Sequence, residues 1–325
     1  MKAALKSLVL RGLAGPPVYP LLRARAHKGR PATIMCYHTL RPDDQPLDAW
    51  VALRVSDFVA QIDMLRETYD IVSLDTLLSP DPHGQRPRVA VTFDDGERGV
   101  FDHLLPVVRG LDIPVTVYVA TAHIQTGNAF WFDRVMNALQ GAGPTKITLA
   151  GIGNWQIGPE RGKRRWAQIG AILEALKTVP TQDRDGLADQ IETQAGAMAG
   201  GFTPLQPMDR TQLEQLAADP RVTIGAHSHG HELLDQLPIE DATASIARSR
   251  DLLVAWTGQQ VRHFAYPNGN HTPALMQALS DLGFVSSTIL QDRLVEPGAP
   301  AHALPRIAVG RYDTLARIRL RLVGV

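Results

Sequence analysis

The sequence predicts an α/β fold built around a parallel sheet, and three observations support this prediction. Short runs of β-branched and apolar residues alternate with amphipathic segments long enough to form helices. The hydrophobic content of 44% is enough for one large domain, or for a domain with an insertion. Two of the apolar runs end abruptly in polar clusters, which cannot lie against an apolar core without partners.

The chain begins with a basic segment, residues 1–31, ahead of the first predicted strand. Its apolar clusters are too short and too interrupted for a transmembrane helix or a signal peptide. We expect a cytoplasmic protein, whose basic segment either contacts the anionic inner face of the cell membrane or forms a solvated arm or a packed helix. The basic residues are Lys2, Lys6, Arg11, Arg23, Arg25, Lys28 and Arg30.

Residues 32–325 read as one domain in which strands and helices alternate, as in a parallel sheet. Residues 32–38 form the first predicted strand, and Ser56 is the expected N-cap of a helix that ends near Thr68. A Pro- and Gly-bearing loop, residues 79–87, precedes the central strand. The later strands are predicted at 71–74, 88–93, 115–120, 221–226, 261–266 and 284–289, and the later helices at 75–78, 97–109, 209–217, 238–258, 273–282 and 314–322.

The alternation stops between about residues 122 and 207, which we interpret as a mostly helical insertion. A short helix is predicted to begin at Trp131, and a small hairpin to follow at 146–149 and 154–157. Two amphipathic helices are predicted at 163–179 and 183–194. Such a lobe would lie over the main fold, where it contacts substrate, a partner or the membrane, or simply covers exposed elements.

Two polar clusters stand at the ends of predicted strands. The run Val89-Ala-Val-Thr-Phe ends in Asp94, Asp95 and Gly96, which alone is typical of a turn. A second strand ends in His227-Ser-His-Gly-His231, where one helical turn would place both outer imidazoles on one face. One carboxylate and two imidazoles suit a divalent ion with open positions, zinc above all. Together the two clusters indicate a metal site.

These residues resemble the motifs of the NodB-type polysaccharide deacetylases, carbohydrate esterase family 4. TFDDG, ending at Gly96, is similar to the first motif, and HSHGH, ending at His231, to the second. The segment His263-Phe-Ala-Tyr-Pro-Asn-Gly269 resembles the third motif. Met35-Cys-Tyr-His38 is similar to the first strand of the exopolysaccharide branch. The resemblance covers roughly residues 32–310.

The resemblance implies a fold, an activity and a metal. The fold would be a distorted (β/α) barrel of about seven strands, with the site at the strand ends. The activity would be hydrolysis of an N-acyl group, most often acetyl, from an amino sugar in a polysaccharide or a lipid-linked saccharide. The expected cofactor is Zn²⁺, with Co²⁺, Ni²⁺ and Mn²⁺ as alternatives. Its ligands would be Asp95, His227 and His231, leaving positions for water and substrate.

Further roles follow from the same motifs. Asp94 would be the general base that takes a proton from the attacking water. Tyr266, Pro267 and Asn268 would bind substrate, and the amide of Tyr266 is a candidate donor to the oxyanion. Ser228 is expected to form hydrogen bonds near the site rather than to attack, and His229 to face solvent.

The chain departs from the family pattern in three places. Ala265 stands where the third motif has an arginine that steadies the base, so we expect Arg306, or alternatively Arg262, to supply the guanidinium. The Asp–Trp pairing of the fourth motif is not visible after Phe284. The Leu-x-His of the fifth motif is missing, which removes the usual general acid. We expect His38 to donate the proton instead, or else to support Asp94 or the metal; His302 is its competitor.

Composition narrows the possible functions. Lys plus Arg and Asp plus Glu both number 33, so no overall charge favours nucleic acid as a partner. The single cysteine, Cys36, excludes an internal disulfide and a multi-cysteine zinc site, and we expect it in a buried strand. The alternatives to a deacetylase are a deformylase or other amidase on this fold, and an inactive carbohydrate-binding module. Nothing in the sequence indicates an oligomeric state.

Overall fold

The computed structural model describes residue 10 and residues 12–29, 31–79, 86–196 and 201–325. Lys2, Lys6, Arg11, Arg30 and most of the predicted loop 79–87 lie outside these residues. The described strands are β1 Thr33–Tyr37, β2 Thr39–Arg41, β3 Ala52–Arg54, β4 Asp70–Ile71, β5 Arg88–Phe93, β6 Val115–Val119, β7 Thr145–Leu149, β8 Gly153–Ile157, β9 Val222–Ala226, β10 His263–Ala265, β11 Ser286–Leu290 and β12 Leu304–Ala308.

Helices connect or flank these strands. They are α1 Val18–Ala26, α2 Val55–Arg66, α3 Leu74–Leu78, α4 Leu105–Leu111, α5 Thr121–Thr126, α6 Trp131–Gly141, α7 Lys163–Lys177, α8 Arg184–Ala195, α9 Arg210–Ala217, α10 Ile239–Thr257, α11 Pro273–Asp281 and α12 Leu315–Arg321. A π-helical segment, Val100–Leu104, precedes α4.

Seven parallel strands close into a barrel, which confirms the fold that the family resemblance implies. Their order around the ring is β1-β12-β11-β10-β9-β6-β5, and β5 pairs again with β1. The short strand β4 adds to β5 outside the ring. Parallel strands are covered on both faces, which explains why β1 and β6 are buried along their whole length.

The insertion has an apolar core of its own. Helices α6, α7 and α8 and the antiparallel hairpin β7–β8 pack around buried side chains that include Val135, Ile147, Ile169 and Ile191. The loop before β3 joins this core through Leu47. The insertion is therefore anchored by apolar contacts to the loop between β2 and β3.

Helix α1 packs on the barrel, and part of it stays exposed. His27 Nε2 lies 3.0 Å from the hydroxyl of Tyr69, and the Arg319 guanidinium lies 5.8 Å from the centre of the Tyr19 ring. Leu21 is 71% exposed, and Arg25 is also exposed. None of the described helices is both long and apolar enough to span a membrane.

Several elements differ from the sequence predictions; of the strand predicted at 71–74, only Ile71 is in a strand, and Leu74 begins α3. Helix α2 begins at Val55 with Arg54 as its N-cap, because the amide of Ser56 already donates to Asp43 Oδ1 at 3.1 Å. The helix predicted from residue 97 begins as the π-helical segment. The tail segment Leu304–Ala308 is a barrel strand, although Pro305 within it argues against one.

Candidate active site

The predicted site residues meet at one rim of the barrel. Asp94 and Asp95 follow β5, His227 follows β9 and His38 follows β1. Because these strands are parallel and belong to one ring, their carboxyl ends share a rim. The amide of Asp94 donates to the carbonyl of Tyr37 at 2.9 Å, which fixes the end of β5 against the end of β1.

Asp95, His227 and His231 form one compact cluster. Asp95 Oδ1 lies 3.3 Å from Nε2 of His227 and 3.2 Å from Nε2 of His231. Nδ1 of His227 lies 2.7 Å from the carbonyl of Ala265. A carbonyl only accepts, so this Nδ1 carries a proton, and in the neutral ring the lone pair on Nε2 is available to a metal ion. One carboxylate and two imidazole nitrogens suit a divalent transition metal.

The two histidines reach Asp95 from a loop, and the expectation of one helical turn is wrong. Ser228 has φ 61° and His231 has φ 56°, both in the left-handed region, which breaks any helical path between them. The expectation that His229 faces solvent is also wrong. It is half-buried, and its Nδ1 lies 2.8 Å from Thr121 Oγ1.

Glu232 organises this loop, and our sequence analysis did not identify it. One of its oxygens, Oε2, accepts from Ser228 Oγ at 2.7 Å, from the Gly230 amide at 3.0 Å and from Ser245 Oγ at 2.9 Å. Ser228 thus forms a hydrogen bond beside the site, as the sequence indicated. The one sequence signal for Glu232 is an acid placed immediately after the last histidine.

Backbone strain concentrates at this site. Among the described residues, five that are not glycine have positive φ, and four of them lie here: Asp95, Ser228, His231 and Asn268. Such conformations cost free energy, roughly 1–3 kcal/mol each, and persist where the surroundings enforce them. The rim therefore holds its polar side chains in a fixed arrangement.

Asp94 forms a buried, bidentate ion pair with Arg306. Its Oδ1 and Oδ2 each accept from one guanidinium nitrogen at 2.6 Å, and Thr92 Oγ1 accepts from the same guanidinium at 3.1 Å. Burial alone would raise the pKa of Asp94, but the charge of Arg306 outweighs it, so this pKa is lowered. Arg262 instead pairs with Asp75 at 3.1 Å.

The geometry explains how Arg306 takes the place of the motif arginine. Ala265 lies on β10, and Arg306 lies on β12, two strands further round the barrel. Its side chain is fully buried, with the guanidinium 5.4 Å from the centre of the Tyr118 ring. A guanidinium from a different strand thus reaches the same acid.

His38 faces the cleft beside Asp94. Its ring lies 5.8 Å from the Trp50 ring, and Nδ1 makes no hydrogen bond to any described residue. Burial lowers the pKa of His38, which favours the neutral imidazole. Polar atoms of Cys36, His38 and Asp94 lie within 4.8 Å of one another. Cys36 is buried as expected, and burial raises the pKa of its thiol, so this trio suits a metal less well than the first cluster.

The third-motif residues divide into buried and exposed positions. Tyr266 is fully buried, and its hydroxyl donates to the carbonyl of His302 at 3.1 Å. The amide of Tyr266 donates to the Thr288 carbonyl at 3.1 Å, so the expectation of a free oxyanion donor there is corrected. Pro267 is buried as well. Asn268 lines the cleft, where its Oδ1 accepts from Lys177 Nζ at 2.8 Å.

The insertion supplies one wall of the cleft. This cleft has a volume of about 320 Å³ and is lined by Asp94, Asp95, His227 and His231. The surface that lines the cleft is largely apolar. Phe132, at the start of α6, places its ring 5.0 Å from that of His231. The apolar side chains from the insertion are Trp131, Phe132, Met136, Trp166 and Leu173.

A buried acid pair beneath the rim also escaped the sequence analysis. Glu97 and Asp133 are both buried, and the Arg41 guanidinium lies 3.6 Å from Glu97. Burial raises the pKa of Glu97 to about 7, and burial together with the charge of Glu97 raises that of Asp133. Glu97 follows β5 and Asp133 lies on α6, so the two buried acids stand where the insertion meets the rim. No local pattern links these two residues.

The comparisons with known proteins agree with this geometry. A family model for polysaccharide deacetylase matches residues 81–286, more than half of the chain. A search of curated proteins finds no match.

Solved structures share the fold at low sequence identity. The deacetylase PplD of Streptococcus pyogenes, solved with acetate, is 15% identical with a TM-score of 0.56, over 90% of this chain and 98% of that one. IcaB from Ammonifex degensii is 19% identical with a TM-score of 0.57, over 90% and 97%. A de-N-acetylase from Aggregatibacter actinomycetemcomitans is 13% identical with a TM-score of 0.57, over 89% and 99%.

The family match accounts for the motifs at the strand ends and for the closed barrel. Members of this family are metal-dependent hydrolases that remove N-acetyl groups from polysaccharides. The residues at the rim provide a cluster suited to a divalent metal and a buried carboxylate beside it. The chain belongs to the polysaccharide deacetylase family and is a metal-dependent deacetylase of N-acetylated saccharides.

Proposed function

We propose that Asp95, His227 and His231 bind Zn²⁺ and that Asp94 is the general base of the deacetylation. The bidentate Asp94–Arg306 pair beside the Asp95 cluster, in a cleft of about 320 Å³, is the observation that carries this proposal. When bound, the metal supplies a Lewis acid for the acyl carbonyl. Among first-row divalent ions, zinc suits a mixed carboxylate and imidazole set.

The protein side chains divide the proton transfers between them. Arg306 holds Asp94 ionised and fixes its orientation, so Asp94 takes a proton from the attacking water. Because the pKa of Asp94 is lowered, the protonated acid gives that proton up readily. His38 starts neutral, so it can accept the proton that Asp94 gives up and then deliver it, as an imidazolium, to the departing amine nitrogen, which leaves poorly as an anion. Asn268 and the aromatic walls orient the sugar.

We further propose where the enzyme acts. The exposed Leu21 and the basic residues of α1 suit peripheral contact with an anionic membrane. A lipid-linked or nascent saccharide at the inner face of the cell membrane is then the fitting substrate.

Acetate release from N-acetylated oligosaccharides, with metal content measured on the same samples, tests the catalytic assignment. Asp94→Asn is nearly isosteric and should keep the metal while losing roughly 10²–10⁴-fold in turnover. His38→Gln should also keep the metal, and it should slow the amide far more than an activated aryl acetate, whose leaving group needs no proton. His302→Gln is the matched control and should affect neither substrate.

Two outcomes would contradict these roles. Near-normal turnover of Asp94→Asn would remove Asp94 as the base. Equal losses on the amide and the aryl ester for His38→Gln would remove His38 as the acid.

A further inference from the structure

A second cavity adjoins the catalytic cleft. It has a volume of about 410 Å³ and shares Trp50 and Trp166 with the cleft. Both volumes are within the usual range for small-ligand pockets, about 300–1,000 Å³. The rest of its polar lining comes from α7, from the loop after β11 and from the segment around α12: Lys163, Asp292, Tyr312, Asp313, Arg317 and Arg321. The two spaces are therefore neighbours on either side of a shared aromatic wall.

The position of Trp50 in this wall is set by Gly310. A Cβ at residue 310 would come within 2.2 Å of two Trp50 ring atoms, so the indole rests directly on the glycine backbone. The Arg311 amide donates to the Trp50 carbonyl at 2.9 Å, and the Tyr312 hydroxyl donates to the Asp48 carbonyl at 2.6 Å. The loop that carries Trp50 is thus held between the catalytic rim and the second cavity.

The lining of the second cavity combines aromatic faces with paired charges. The Arg317 guanidinium lies 3.3 Å from Asp313 Oδ1, and that of Arg321 lies 3.5 Å from Asp313 Oδ2. Arg321 also pairs with Asp292. Lys163 Nζ lies 5.7 Å from the centre of the Tyr312 ring. The carboxylates offset the guanidinium charges, so donors and acceptors stand side by side.

Such a lining matches a sugar ring better than an isolated anion. Sugar hydroxyls both donate and accept hydrogen bonds, so they can use a guanidinium and a carboxylate together. The C–H faces of a sugar ring are apolar and pack on aromatic rings. An anion would leave the carboxylates of Asp292 and Asp313 facing like charge.

We propose that the second cavity is a binding subsite for the saccharide unit next to the one that is deacetylated. This inference rests on the proposed function, because it takes the cleft at Asp95 as the place of deacetylation. The substrate chain would cross the wall at Trp50 and Trp166. A glycan of two or more units then binds better than a single N-acetylated amino sugar.

The test measures how the length of the saccharide substrate affects its hydrolysis in the wild type and in variants of the second cavity. Acetate release is measured on N-acetylglucosamine and on its β-1,4- and β-1,6-linked oligosaccharides, for the wild type, Lys163→Ala/Arg317→Ala and the control Arg164→Ala. Lys163 and Arg317 are exposed and lie away from the metal cluster, so folding should be preserved. Hydrogen bonds to charged groups contribute about 1.5–3 kcal/mol each, so losing one corresponds to roughly tenfold or more in affinity.

In the wild type and in the control, kcat/KM should rise with chain length. In the double variant the rate on the monosaccharide should be unchanged, while KM for the tetrasaccharide rises about tenfold or more at constant kcat. Equal length dependence in all three proteins would overturn the subsite.

Tetrasaccharide binding, followed by tryptophan fluorescence, separates this inference from the proposed function. If the wild type releases no acetate but the double variant binds the tetrasaccharide about tenfold more weakly, the subsite stands and the proposed activity falls. Equal binding by the wild type and the double variant overturns the subsite whatever the activity.

Discussion

Replacing Arg306 by methionine removes the partner of a fully buried charge. In the native protein the side chains of Arg306 and Asp94 are 0% and 3% exposed, and two hydrogen bonds of 2.6 Å join them. Methionine has a comparable length and no charge, so Arg306→Met leaves the Asp94 carboxylate buried and unpaired. Removing one partner of such a pair typically costs about 3–5 kcal/mol, and solvent screening does not reduce this value at so low an exposure.

The double variant separates the pair energy from the packing energy. Asp94→Asn/Arg306→Met contains no unpaired charge, so its free energy of unfolding should fall by less than the sum of the two single losses. We expect an interaction energy of about 2 kcal/mol or more, at the upper end of the range for residues in contact. Urea unfolding followed by circular dichroism at pH 7 measures all four proteins. Additive losses, or a loss below about 1 kcal/mol for Arg306→Met, would refute the reasoning.

The same variants predict a pH dependence of defined sign. In the wild type the pKa of Asp94 is lowered, so its contribution to stability is present above the unfolded pKa of about 3.9 and is lost as pH falls through the folded pKa. In Arg306→Met the guanidinium charge is gone, so burial becomes the main influence on the pKa of Asp94 and raises it. The variant is then stabilised by protonation, and its deficit relative to the wild type should shrink as the pH falls from 7 towards 4. The acid limb of its rate profile should move to higher pH.

Two further predictions concern the metal and the membrane. His227→Ala and His231→Ala should each abolish tight zinc binding and acetate release together. The control His229→Ala, on the same loop but hydrogen-bonded to Thr121, should keep both. Stoichiometric zinc in the double variant His227→Ala/His231→Ala would contradict the ligand assignment. Glutamine substitutions at Lys2, Lys6, Arg11, Arg25 and Lys28 should weaken the binding free energy for phosphatidylserine vesicles by about 1 kcal/mol for each residue near the surface. Cosedimentation with the vesicles measures this loss, and hydrolysis of a soluble substrate should stay intact. Substitution is preferable to deletion here because His27 bonds to Tyr69, and unchanged cosedimentation relative to a Lys146→Gln/Arg164→Gln control would reject membrane contact.

The sequence by itself determined the fold class and the centre of the site. Alternating strands and helices predicted a parallel sheet, because each element is encoded by local periodicity, and the family resemblance implied its closure into a barrel. Asp94, Asp95, His227 and His231 could be identified because their two clusters follow predicted strands and resemble the motifs of one family. The places where parallel strands end share a rim, so two motifs far apart in the chain could be predicted to meet.

Only the tertiary structure decided which partners these residues have. Arg306 rather than Arg262 reaches Asp94, because β12 closes the ring against β1 and carries its guanidinium inward. Likewise the histidines approach Asp95 through left-handed residues held by Glu232, and Trp50 is positioned by Gly310. These contacts depend on which strands and loops become neighbours around the barrel. Local sequence patterns specify an element and its buried face, whereas the pairing of distant elements is set by packing of the whole chain.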